Sequence, residues 1–176
     1  MALLDPKTTT LVVIDLQEKL LPAIWEKERV LGNVTKLLQL ARILGLPVVP
    51  TTQYSRGLGP TAPQIAGLLD REPIDKTSFG CFGDPQIAAE LSGTLLVVGI
   101  EAHICVCQTV LGALEAGLPV HVAADATSSR TAANMQIGME RMRAAGAVIS
   151  STEMAIYELL GRSDREEFRK MLPYLK

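Results

Sequence analysis

Three side chains able to work together on a carbonyl carbon, an acid, an amine and a thiol, each stand just beyond a short apolar run. Asp15 closes "VVID", Lys76 follows "PID" in "EPIDKTSFGCF", and Cys105 lies shortly after "LLVVGI" in "VVGIEAHICVCQTVLGALEAG". A thiol is the nucleophile of such a set, a carboxylate moves its proton, and an ammonium balances the charge. Each also has a plainer role. Asp15 can cap a helix or accept from a loop amide, Lys76 can pair with Asp75, and a free cysteine is often a small buried hydrophobe. The combination says more than its members.

Cys105 and Cys107 are two residues apart, and two helical steps of about 100° turn them to opposite sides. That geometry disfavours a shared metal or a local disulfide. The periodicity predicts a helix over Ile104 to Ala116, so Cys105 falls at its start, where unpaired N–H groups would lower the thiol pKa. A third thiol, Cys81, keeps a redox or peroxide sensor open as an alternative, since a sensor needs a resolving thiol. A non-catalytic binding protein is a further alternative. The two histidines, His103 and His121, make weak bases, and neither a histidine pair at ligand spacing nor a C-x-x-C supports zinc. No G-x-G-x-x-G follows the first strand, so a dinucleotide site is unsupported and no cofactor is expected. Thr127, Ser128, Ser129 and Arg130 read as a helix cap with a surface arginine, or as an anion grip. Aromatic residues are only 4% of the chain, yet Tyr54, Phe79 and Phe82 crowd the loops near Lys76, with Trp25 elsewhere.

The elements that must hold these residues alternate. "TTTLVVIDLQ", "LPVVPTTQ", "GTLLVVGIEA", "LPVHVAADA" and "GAVISS" read as strands, and helical spacing appears from about Glu28 to Leu44, Thr131 to Ala145 and Thr152 to Leu160. Glycines 45, 117, 146 and 161 close the helices. Strands uncharged through their middles, separated by helices, imply an α/β fold with a parallel sheet covered on both faces. Residues 54–84, rich in Gly and Pro, read as long functional loops. At 176 residues, 48% hydrophobic, with net charge −2, the chain suits one domain over 1–176 and a small-molecule partner. Nothing basic enough for nucleic acid and no apolar span or leader is read in it, so no membrane and a cytoplasmic location are expected.

"VVIDLQ", "KTSFGCF" and "VVGIEAHICVCQTVLGALEAGLPVHVAADATSSR", with "TTQYSRGLG" after the second strand, resemble the signature blocks of the isochorismatase-like cysteine hydrolases over nearly the whole chain. The resemblance implies a Rossmann-like, doubly wound sheet of order 3-2-1-4-5-6. It implies a triad of Asp15, Lys76 and Cys105, a cis peptide between Ile100 and Glu101, and an oxyanion hole from the amides of Glu101 and Cys105. Gln17, Tyr54, Phe79 and Ile104 are the expected pocket residues, and a homo-oligomer is expected by analogy. Relatives that bind a metal do so through Asp-x-His after the second strand. That place here reads "PTTQYSRGLG", so no metal is expected. Isochorismatase itself lacks the cysteine, which argues against isochorismate as the substrate. The activity implied is hydrolysis of a small amide or related C–N bond through a thioester.

Overall fold

β-Branched and leucine-rich runs at Thr9–Ile14 (β1), Val48–Gln53 (β2), Ile74–Lys76 (β3), Thr94–Ile100 (β4), Val120–Ser128 (β5) and Val148–Ser150 (β6) form the strands. In the computed structural model, which describes residues 3–175, they make one sheet in the order β3-β2-β1-β4-β5-β6. Every pairing is parallel, with Leu11 opposite Val48 on one side and Leu96 on the other. The order reverses between β1 and β4, and the carboxyl ends of strands at such a switch point are where open α/β sheets bind ligands.

Because side chains alternate across a strand, each strand feeds two cores. Leu11, Val13, Leu96, Val98 and Ile100 face one side. There they meet helices Lys27–Leu44 (α1), which Gly45 closes at φ +69°, and Thr152–Leu160 (α7) and Glu166–Met171 (α8) near the C-terminus. Val12, Ile14, Leu95, Val97 and Val122 face the other. That layer is completed by Pro85–Glu90 (α4), Cys107–Glu115 (α5) and Ala132–Ala144 (α6). Two short helices, Ser55–Leu58 (α2) and Pro63–Ala66 (α3), occupy the loop region after β2. Among the described residues no helix is long and apolar enough to cross a membrane.

Two expectations need correction here. The helix expected from Ile104 begins instead at Cys107, preceded by a wide π-helical turn over Ala102–Val106 in which the Val106 amide reaches back to the Glu101 carbonyl at 3.2 Å. Thr127 and Ser128, read as a helix cap or anion grip, are the end of β5, and the cap of α6 is the next threonine, Thr131, whose hydroxyl accepts from the Asn134 amide. The shift has a physical source in β5. Val122 pairs with Val97 but Thr127 pairs with Gly99, so a bulge lengthens this strand and carries it past the expected end.

Candidate active site

Asp15 is the first residue beyond β1, and its backbone turns into the left-handed region at φ +54°, a conformation asparagine and aspartate tolerate better than other side chains. The turn sends the carboxylate inward, where it is fully buried. Its Oδ1 accepts from the Thr51 hydroxyl at 2.8 Å and its Oδ2 from Lys76 Nζ at 2.7 Å. Lys76 ends β3 and is 1% exposed, a cost that only paired and hydrogen-bonded charges offset. Cys105 sits in the Ala102–Val106 turn beyond β4 and is 7% exposed. The charges of Asp15 and Lys76 both act on its thiol, and its Sγ is placed to donate to Gln53 Oε1 at 4.0 Å. Residues 15, 76 and 105 therefore converge from the ends of three strands.

Two hydroxyl-centred links fix the turn relative to the β3 loop. The Thr109 hydroxyl donates to the Cys105 carbonyl at 2.7 Å and accepts from the Cys81 amide at 3.1 Å. On the other flank the buried Glu101 carboxylate is clasped by Arg130, through Nη2 at 2.6 Å and the backbone amide at 2.9 Å. Burial opposes the charge on Glu101, but these hydrogen bonds outweigh it and hold the carboxyl below its usual range. The Ile100–Glu101 peptide bond is cis.

The thiol does not behave as its position near a helix start suggested. Burial first, and then the Asp15 charge, push the Cys105 pKa up to about 12, with Lys76 opposing them. The expected lowering fails because Cys105 lies in a closed turn against a carboxylate rather than on an open helix end. Burial also raises Cys81 and Cys107, and all three cysteines are free. Cys107 is buried in the second core, where the Arg141 charge of α6 opposes the upward push of burial.

The expected pocket residues divide. Tyr54 and Phe79 stand about half exposed on the loops after β2 and β3, and Ile104 is partly buried against the second core. Gln17 is a fully buried tether. Its Nε2 donates to the carbonyls of Gln53 and Gly59, at 3.1 and 2.7 Å, and its Oε1 accepts from the Gln53 amide at 2.8 Å, which leaves no donor for a ligand. Sequence reasoning missed Gln53 itself. Its Oε1 accepts from Lys76 Nζ at 2.9 Å and lies 4.0 Å from Cys105 Sγ. The signal was only its place at the end of β2, one strand from Asp15. Among the described residues no group of three or more His, Cys, Asp or Glu could hold a metal ion.

A family model described as the isochorismatase domain matches residues 9–154. The isochorismatase domain-containing protein 2A of Mus musculus is 34% identical over 97% of this chain and 84% of its own. Among solved structures, one described as MAR1 ribonuclease from Caenorhabditis elegans superposes with a TM-score of 0.93 at 36% identity, covering 99% of this chain and 92% of that one. YcaC from Pseudomonas aeruginosa, solved with hexane-2,5-diol and covalent acrylamide, gives 0.90 at 25% identity, covering 98% and 91%.

Proposed function

The chain belongs to the isochorismatase family, and on that premise we propose that it is a cysteine-dependent, metal-independent hydrolase of a small amide or related C–N bond. One observation carries the reading: Asp15, Lys76 and Cys105, far apart in sequence, share one buried cluster. A protonated resting thiol suits a mechanism in which a base acts during attack rather than before it. Asp15 takes the Sγ proton as sulfur bonds to the carbonyl carbon. The amides of Glu101 and Cys105 hold the oxyanion, and Lys76 offsets the charge that passes between carboxylate and sulfur. Asp15 then gives its proton to the leaving nitrogen, and the C–N bond breaks to leave a thioester. Water, losing a proton to Asp15, attacks the thioester, and that proton returns to sulfur as the acid departs. YcaC, at 25% identity, holds covalent acrylamide, a small reactive ligand that carries an amide group.

The ribonuclease description of the C. elegans protein raises RNA as a second substrate class. A net charge of −2 stands against it, since phosphate backbones are held by basic surfaces. Wild type and Cys105→Ala assayed on small primary amides, carbamoyl compounds and single-stranded RNA separate the readings. Amide hydrolysis is expected in the wild type with a loss of roughly 1000-fold or more in Cys105→Ala. Amide turnover surviving in that variant ends the covalent route. RNA cleavage without amide turnover replaces the substrate class, and no turnover of either favours the binding-protein alternative.

A further inference from the structure

Gln53 belongs to no part of the reaction above, yet it touches two of its members. It is the last residue of β2 and pairs in register with Lys76. Its backbone is gripped on both sides by the Gln17 amide, and its own Nε2 donates to the Thr77 carbonyl at 3.0 Å. With the nitrogen pinned there, the amide cannot flip, and Oε1 must face Lys76 Nζ and Cys105 Sγ.

An ammonium has three N–H groups. Asp15 takes one of Lys76's and Gln53 another. An amide oxygen accepts but never donates, so Gln53 competes with the sulfur for the lysine's protons and offers a thiolate nothing. The groups that face the sulfur are Asp15, Lys76 and Cys81, with Gln53 Oε1 placed to accept from the protonated thiol at 4.0 Å. We propose that Gln53 is a positioning residue of this site: its fixed amide oxygen holds the Lys76 ammonium against Asp15 and keeps it from pairing with Cys105 until a substrate enters. The proposal rests on the triad reading above. It adds that in the empty site Lys76 acts on the sulfur by charge while two of its three N–H groups are directed to Asp15 and Gln53.

Iodoacetamide labelling of the full chain at pH 8, with peptide mapping of Cys81, Cys105 and Cys107, tests this without any substrate. In Gln53→Met the ammonium loses its neutral acceptor and turns to the sulfur, so Cys105 is expected to label at least about fivefold faster than in the wild type, with the other two cysteines unchanged. Gln53→Glu places a second carboxylate beside the thiol, and slower labelling of Cys105 is expected. An unchanged Cys105 rate in Gln53→Met, faster labelling in Gln53→Glu, or equal acceleration of all three cysteines overturns the proposal, the last because it marks a loosened fold. An Asp15→Asn control separates the failures. If Cys105 labelling ignores Asp15 as well, the triad reading falls. If it responds to Asp15 and not to Gln53, only the role of Gln53 falls.

Discussion

At Cys105 burial and then the Asp15 carboxylate decide what the sulfur is at neutral pH. With a pKa near 12, its thiolate fraction at pH 8 is on the order of one in ten thousand, and labelling by a neutral alkylating reagent is slow. A thiol whose folded pKa is raised stays protonated past the ordinary value near 9, so wild-type labelling should keep climbing with pH through about 11 and show no plateau near 9. Asp15→Asn removes the carboxylate that raises the thiol and leaves Lys76, which lowers it. Each unit by which the pKa falls multiplies thiolate tenfold, and the lower nucleophilicity of a more acidic thiol trims the gain to about threefold. Stopped labelling at pH 8 should therefore show Cys105 reacting several-fold faster in Asp15→Asn while hydrolysis is lost. A variant that labels more slowly than the wild type would mean that Asp15 activates the resting thiol, contrary to the charges around it.

The element that presents Cys105 is the Ala102–Val106 turn, and what fixes it is α6. Gly138 of α6 sits so close that a Cβ there would stand 2.7 Å from the Ala102 carbonyl oxygen and 2.9 Å from the His103 nitrogen, both backbone. Alanine in an exposed helix interior gains about 0.5–1 kcal/mol over glycine. Gly32 of α1, with nothing within 4 Å of its absent Cβ, should show that gain: Gly32→Ala is expected to raise Tm by roughly 1–4 °C at unchanged activity. Gly138→Ala should not. The helix must retreat or the turn must move, and since one oxyanion donor is worth roughly 100-fold in rate, a fall of at least tenfold in kcat is expected with no rise in Tm. Full activity in Gly138→Ala would show that the turn tolerates displacement. This contact also explains what the sequence concealed. The helices closed by Gly45 and Gly161 were legible from spacing and stop signals, and Thr152–Leu160 has the expected bounds. A π-helical turn has no such period, so it read as the first turn of a longer helix.

Over the whole molecule, the strand order and the set of Asp15, Lys76 and Cys105 were legible through the resemblance that the signature blocks carry, although β3, three residues inside a Gly- and Pro-rich stretch, is not among the five runs read as strands. Gln53 was not legible, since a neutral amide in a polar stretch carries no chemistry until β2 and β3 pair and set it opposite Lys76. Nor were α4 and α8, each six residues, too short to display a helical period. The same dependence on pairing bears on stability. The site draws on β1, β2, β3 and the turn after β4, and Met171 of α8, at the far end of the chain, is fully buried in the core that backs β1. No segment holds the Asp15–Lys76 pair or shields the thiols alone, and both cores share the strands of one sheet, so loss of either removes the other. Unfolding should then be a single transition. In a urea series, helical circular dichroism and the labelling of Cys81, Cys105 and Cys107 are expected to share one midpoint. If Cys105 becomes reactive well below the midpoint of the dichroism while Cys107 stays protected, the turn opens as a separate unit, and the shielding of the sulfur is a local property of the loops rather than of the sheet.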